Sequence, residues 1–131
     1  MAATPGYAAI PRVHDVQPLS VANTNRDGTG ALVTLSTGSA AGDAIEQVII
    51  QATGNTTAGV VRFFLTTNGG STKNLIDEVS IAGVTPNGTT QAFRTIASDL
   101  TGLILTSSQE ILYASTNNAE TFNVIVQKAG L

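Results

Sequence analysis

The loop N-T-N-R-D-G near the start of the chain has the residue types and spacing of half a calcium site. Three amide or carboxylate residues and a glycine stand at positions 1, 3, 5 and 6 of the calcium-loop pattern: Asn23, Asn25, Asp27 and Gly28. Calcium takes six to eight oxygen ligands, and that pattern supplies a bidentate Glu at position 12. Position 12 here is Thr34, which lies inside a predicted strand. The sequence therefore favours a turn built from Asx side chains and glycine over a metal site.

The few residues that could perform acid–base catalysis are badly placed for it. His14 is the only histidine, and it stands beside Asp15. A Ser-His-Asp mechanism needs a carboxylate that orients the imidazole, whereas neighbouring side chains of an extended segment point to opposite sides. The same alternation separates Asp77 from Glu78 and argues against a carboxylate pair for glycoside hydrolysis. We therefore expect a protein that is not an enzyme and that carries neither a cofactor nor a metal.

The composition is weakly charged and excludes two classes of partner. Only 11% of the 131 residues are charged, the net charge is −3, and the six basic residues are scattered. Nucleic-acid binders cluster Lys and Arg, so we expect no nucleic-acid partner. No apolar run approaches the roughly 20 residues of a membrane helix, so we expect no membrane association. A surface of Thr, Ser, Asn and Gly suits a subunit of an assembly, or else an ordinary Thr-rich β-domain.

Short segments with apolar/polar alternation and turn residues between them predict an all-β fold. About eight such strands favour an antiparallel β-sandwich, jelly-roll-like in its arrangement. In the segment from Ala44 to Thr53, three consecutive apolar residues predict a strand buried on both faces. Phe63 and Phe64 must point to opposite faces of one strand. Phe64 then either contributes to an exposed subunit contact or is covered within the fold.

Residues 1–18 differ from the rest, because three prolines interrupt them: Pro5, Pro11 and Pro18. Proline fixes its own φ and extends the residue before it, so we predict an extended N-terminal arm at 1–18 and a β-sandwich domain at 19–131. The arm carries apolar residues and lies either over its own domain or on a neighbouring subunit. The candidate contact residues are Tyr7, Ile10, Arg12, Val13 and Phe64.

Three blocks of the sequence resemble a family of small virion structural proteins from tailed bacteriophages. They are A-N-T-N-R-D-G-T-G-A-L-V-T-L, A-T-G-N-T-T-A-G-V-V-R-F-F-L and A-S-T-N-N-A-E-T-F-N-V, in that order. The resemblance runs from about Val21 to Val126. The family more usually has a charged D-G-T-N-type hairpin turn where this chain has N-G-G-S, a departure confined to one surface turn.

The resemblance implies a capsid decoration (cement) protein on the outside of the virion, assembled in the host cytoplasm. Its partner would be the major capsid protein, its own assembly a homotrimer, and its fold a β-sandwich. The N-terminal arm would anchor it to the shell or to a neighbouring decoration subunit, through Tyr7, Ile10 and Val13. The alternative is a tail, baseplate or fibre-associated module, structural or host-binding.

Overall fold

A computed structural model describes residues 10–131, with side chains from His14 onward. The prediction of an all-β sandwich is confirmed, with nine strands instead of about eight. One 3-10 turn, Ser98–Leu100, is the only helical element of the described residues. The strands are β1 (Ile10–Leu19), β2 (Val33–Thr37), β3 (Asp43–Ala52), β4 (Gly59–Thr66), β5 (Asn74–Ile81), β6 (Arg94–Ile96), β7 (Ile104–Leu105), β8 (Ile111–Thr116) and β9 (Phe122–Gly130).

The strands form two antiparallel sheets. Sheet A has the order β1-β9-β3-β6, with β7 also paired to β3, and sheet B has the order β2-β8-β4-β5. Strands β6 and β7 pair with opposite ends of β3, so they act as one strand that the 3-10 turn interrupts. With β6 and β7 counted as one strand, β1 pairs with β9, β2 with β8, β3 with β6 and β7, and β4 with β5. This is one long hairpin rolled into two layers, which is the jelly-roll arrangement.

The hydrophobic core lies between the two sheets. Strand β9 alternates as predicted, because Phe122, Val124 and Val126 are at most 1% exposed and point inward. From sheet B, Phe63 and Leu112 meet them, and neither is exposed at all. The alternation of apolar and polar residues with a period of two therefore identifies the inward face of each long strand. Burial of these apolar faces stabilises the packing of the two sheets.

Strand β1 forms one edge of sheet A along its whole length. It pairs with β9 from Ile10 opposite Gly130 to Leu19 opposite Phe122. The predicted boundary between residues 18 and 19 therefore falls inside a strand, and residues 10–18 belong to the sandwich. An edge strand tolerates the prolines that suggested an arm, because one side of its backbone needs no ladder partner. The rest of the predicted arm, residues 1–9, lies outside the described residues.

Candidate functional site

Residues 20–32 connect β1 to β2 and form a loop across the outer face of sheet B, here named the cover loop. It joins the sheet at an isolated parallel bridge between Ala22 and Thr116. The Asn23 amide N–H donates to the Thr116 carbonyl oxygen over 2.8 Å. At its far end, Gly28 packs so closely on the backbone of Lys73 that no Cβ would fit there. The loop thus extends from β8 to the turn between β4 and β5.

Asn23 holds the cover loop in shape from within. Its side chain is 6% exposed. Its Nδ2 donates to the carbonyl oxygens of Thr29 (3.0 Å) and Ala31 (2.9 Å). Its Oδ1 accepts from the backbone N–H of Asn25 over 3.0 Å, which closes an Asx turn. At Gly30, with a φ of +87°, a Cβ would come within 2.7 Å of this side-chain amide.

A second Asx turn follows at Asp27, whose Oδ1 accepts from the backbone N–H of Thr29 over 3.1 Å and also from its hydroxyl. The hydroxyl bond, then the backbone bond, hold the pKa of Asp27 below its usual value. The predicted turn is therefore confirmed. The side chains that match the calcium pattern organise the loop's own backbone.

Glu78 on β5 ties the cover loop to the sheet. Its Oε2 accepts from the Nε of Arg26, in the loop, over 2.8 Å, and from the Nε of Arg62, on β4, over 2.7 Å. Arg62 is only 5% exposed, and its Nη1 also donates to the Asn23 carbonyl oxygen over 3.5 Å. The hydrogen bonds from Arg26 and then Arg62 lower the pKa of Glu78. One carboxylate oxygen thus binds both a buried and an exposed guanidinium.

Phe64 requires a correction, because it is not exposed. It lies on the outer face of sheet B, opposite in direction to Phe63, yet its exposed fraction is 0%. Its cross-strand neighbours are Tyr113 and Leu75, and the cover loop lies over this face. The ammonium of Lys73 lies 5.4 Å from the centroid of the Tyr113 ring. The chain itself therefore covers both faces of β4, and Phe64 is not available for a subunit contact.

The other candidate contact residues gather at the start of the chain. Ile10, Arg12 and Val13 lie in β1, at the edge of sheet A, and their side chains fall outside the description. Tyr7 lies outside the described residues. The structure brings three of the four onto one sheet edge, on a different sheet from Phe64. Their contact with a partner stays a prediction.

His14 and Asp15 point in different directions, as expected of an extended strand. His14 is exposed and pairs across the ladder with Gln127. The Asp15 Oδ2 lies 3.4 Å from the Nζ of Lys128. That ammonium also lies 3.5 Å from the Asp43 Oδ2 and donates to a Ser36 hydroxyl over 3.0 Å. Asp15 therefore belongs to an ionic cluster that joins the two sheets, not to a relay with His14.

A row of β-branched apolar residues crosses the outer face of sheet A, and sequence reasoning missed it. The ladder places Val16 opposite Ile125, Ile125 opposite Ile49, and Ile49 opposite Ile96. The end members are 52% (Val16) and 43% (Ile96) exposed. Ile49 is 4% exposed and stands outside the core cluster. These four residues are named the apolar row. The sequence signal was the run of three apolar residues in β3, which predicted cover on both faces.

Amide side chains flank the apolar row on both sides. On one side the ladder aligns His14, Gln127 and Gln47, and on the other Pro18, Asn123 and Gln51. Two charged residues extend these flanks, Glu46 beside Gln47 and Arg94 opposite Gln51. A bulge at Glu46 puts it on the same outer face as Gln47, because Ile45 and Val48 both point into the core.

Strand β5 forms an edge of sheet B and lines a shallow groove of about 310 Å³. The groove is formed by Leu75, Ile76, Asp77 and Glu78. The register of β5 against β4 shifts at Ile76, which marks a bulge. Burial raises the pKa of Asp77, and the nearby charge of Asp99 raises it further.

Comparison with known proteins found no protein-family model and no curated protein that matches this chain. Within residues 10–131 no helix is long and apolar enough to span a membrane. In that same part of the chain no three or more His, Asp or Glu side chains gather as a metal site requires.

Proposed function

We propose that this protein is a non-enzymatic structural protein of a tailed-phage virion, a capsid decoration protein that binds the major capsid protein. The single observation that carries the proposal is the position of β1. It is an edge strand of a jelly-roll sandwich, and residues 1–9 precede it in the sequence. The resemblance of the three sequence blocks supplies the identity of the partner. The polar residues most suggestive of chemistry, in the cover loop, serve the fold.

In this proposal, the N-terminal segment binds the capsid shell by burying apolar side chains against it. A segment of nine residues spans at most about 30 Å when fully extended. Tyr7 supplies the largest apolar side chain of that segment, and buried apolar area contributes about 25 cal/mol per Å². Each particle repeats the contact at many equivalent positions, so a modest affinity per copy stabilises the shell.

In this proposal, the protein acts as a homo-oligomer. Most homo-oligomers have closed symmetry, and the resemblance implies a threefold one. The mass of the protein in solution tests for the trimer.

The test is a truncation that starts at Ile10, which removes residues 1–9 and leaves β1 intact. A longer deletion through Pro18 removes a sheet strand and confuses binding with folding. We expect the truncated protein to keep its circular dichroism spectrum and melting temperature. It should lose binding to shells that lack the protein, measured by co-sedimentation. Tyr7→Ala should weaken binding in the same direction.

Full occupancy of shells by the truncated protein would overturn this role of the segment. Density for the protein in cryo-electron micrographs of whole particles tests the location independently. Positions on the capsid lattice are expected, whereas positions only on the tail or baseplate would favour the alternative module.

A further inference from the structure

The sequence contains two Asn-Gly pairs, Asn68-Gly69 and Asn87-Gly88. The side chain of an asparagine can react with the backbone nitrogen of the next residue, because the two groups are held close together by the chain itself. Glycine in the second position favours the reaction, since it has no side chain to hinder the approach and its backbone turns easily. The reaction also requires a free glycine nitrogen and a backbone that can move. The two pairs differ in both respects.

Asn68-Gly69 lies in the β4–β5 turn and is held from several sides. The Gly69 N–H donates to the Gln109 carbonyl oxygen over 3.0 Å. At Gly69, with a φ of +73°, a Cβ would come within 2.6 Å of the Gln109 side chain. The Asn68 Oδ1 accepts from the Thr66 hydroxyl over 2.7 Å and from the Thr72 N–H over 2.9 Å. The glycine nitrogen is therefore engaged, and the turn around it is fixed.

Asn87-Gly88 stands in the connection from β5 to β6, and both residues are exposed. The Asn87 Oδ1 accepts from the N–H groups of Thr89 (2.8 Å) and Thr90 (2.9 Å). Among the described residues, none accepts a hydrogen bond from the Gly88 N–H. Apart from its chain neighbours, no described atom lies within 4 Å of the place that a Gly88 Cβ would take. Both asparagine carbonyl oxygens are thus hydrogen-bonded, and only the Gly88 nitrogen is free.

The ends of this connection are fixed to the sandwich on either side of Asn87. Thr56 and Val84 exchange two backbone hydrogen bonds, of 2.9 and 3.1 Å. The Phe93 carbonyl oxygen accepts from the Ala52 N–H over 2.8 Å. Among the described residues, the hydrogen bonds of Asn87 itself stay within its own turn. A chemical change at Asn87 can therefore occur without unfolding the protein.

We propose that Asn87 is a site of spontaneous deamidation and that the fold protects Asn68 from the same reaction. The Gly88 nitrogen loses its proton to solvent and attacks the Asn87 Cγ. A C–N bond forms, and the side-chain amide nitrogen leaves as ammonia. Water then opens the resulting succinimide at either carbonyl, which gives aspartate or isoaspartate without any oxidant or reductant. The N–H donors on Oδ1 stabilise the negative charge that develops on this oxygen during the attack.

The test is peptide mapping by mass spectrometry of the full chain, kept folded in mildly alkaline buffer. The peptide that contains Asn87 should gain about 1 Da and separate into an aspartate and an isoaspartate form. Asn68 in the same sample is the internal control. It should convert at least about tenfold more slowly, because its turn must first open. In urea the two sites should convert at similar rates, since the protection comes from the fold.

Two variants distinguish the role of the fold from that of the local sequence. Each conversion adds one negative charge to the net charge of −3, so anion exchange resolves the product. Asn87→Ser removes the reacting amide, and this acidic species should no longer accumulate. Thr66→Val removes the hydroxyl that bonds Asn68 and Gly70. It should speed conversion at Asn68 and leave that at Asn87 unchanged, with circular dichroism to verify folding.

Two results would overturn the proposal. One is an Asn87 that stays intact in the folded protein for as long as the chain in urea takes to convert. The other is an equal rate at Asn68 and Asn87 in the folded protein. Neither result depends on a location in a virion, so the proposed function and this modification are tested separately.

Discussion

At the scale of single residues, buried polar side chains in this protein form hydrogen bonds with nearby backbone groups and so hold loops and turns in shape. Asn23 uses both ends of its amide, two bonds donated and one accepted, on the loop that contains it. Thr66 does the same for the β4–β5 turn, where its hydroxyl oxygen accepts from the Gly70 N–H over 3.0 Å. From the sequence alone, a residue such as Asn23 could be taken for a metal ligand, whereas in the fold it stabilises the backbone of its own loop.

Asn23→Asp should destabilise the protein although the two side chains have nearly the same shape. The substitution removes both N–H donors and faces a carboxylate toward the carbonyl oxygens of Thr29 and Ala31. Leaving buried acceptors unpaired costs about 1–3 kcal/mol, and more beside a charge. Urea denaturation measures the loss. A calcium site would respond in the opposite way, with stability that rises on adding calcium, because the variant gains a charged ligand.

Phe64→Ala should lower the free energy of unfolding by about 3–5 kcal/mol, the range for a large aromatic removed from a packed site. The reason is that Phe64 is fully buried on the outer face of sheet B, between Tyr113 and Leu75 on the neighbouring strands. Ile76→Ala is the comparison in urea denaturation, because it removes a partly exposed side chain and should cost much less. Equal losses for the two variants would contradict the burial described for Phe64.

At the scale of elements, the cover loop and β5 are joined by charge. Glu78 holds Arg26 of the loop and Arg62 of the sheet with one oxygen. The loop is thereby fixed over the outer face by an interaction that depends on pH, while its internal Asn23 bonds do not.

Neighbouring substitutions on β5 should have opposite effects on stability. The pKa of Glu78 is lowered from 4.5 in the folded protein, so its carboxylate stabilises the fold above that pH. Glu78→Gln should therefore destabilise at neutral pH, and the difference should fade as the pH drops below about 4.5. The pKa of Asp77 is raised from 3.8, so its charged form opposes folding. Asp77→Asn should stabilise at neutral pH, and this gain should fade toward acid.

Thermal unfolding at several pH values measures both effects. Each variant is compared with the unaltered protein at the same pH, and the two neighbours serve as each other's control. Differences of the same sign for both variants would contradict the electrostatic roles assigned to them.

The sequence predicts local elements well and their partners poorly. Alternation identified the inward face of β9, and N-G-G-S identified the β4–β5 hairpin, because both signals lie within a few residues. The apolar row was invisible, since it exists only when β1, β9, β3 and β6 become neighbours. Phe64 was ambiguous for the same reason. Its burial depends on residues far from it in sequence, such as Tyr113 on β8.

At the scale of the whole molecule, almost every sheet contact is non-local. The first described strand pairs with the last, and only β4 and β5 form a hairpin of adjacent strands. During folding, the chain therefore loses the entropy of loop closure before most of the stabilising contacts can form.

We expect refolding in milliseconds to seconds, the slow range for sandwiches dominated by distant pairings. Stopped-flow circular dichroism or tyrosine fluorescence after dilution from urea measures it. Refolding in microseconds would be at odds with this topology.

The pairing of Ile10 with Gly130 has a mechanical consequence. The two strands run antiparallel, so these residues meet at one corner of sheet A. Tension applied between them acts along the ladder hydrogen bonds, which lie perpendicular to the strands, and opens them one at a time. Tension applied between Ile10 and the turn between β8 and β9, which lies at the Leu19 end of β1, loads β1 lengthwise and many bonds at once. The molecule is therefore weak to peeling at this corner and strong to a pull along β1.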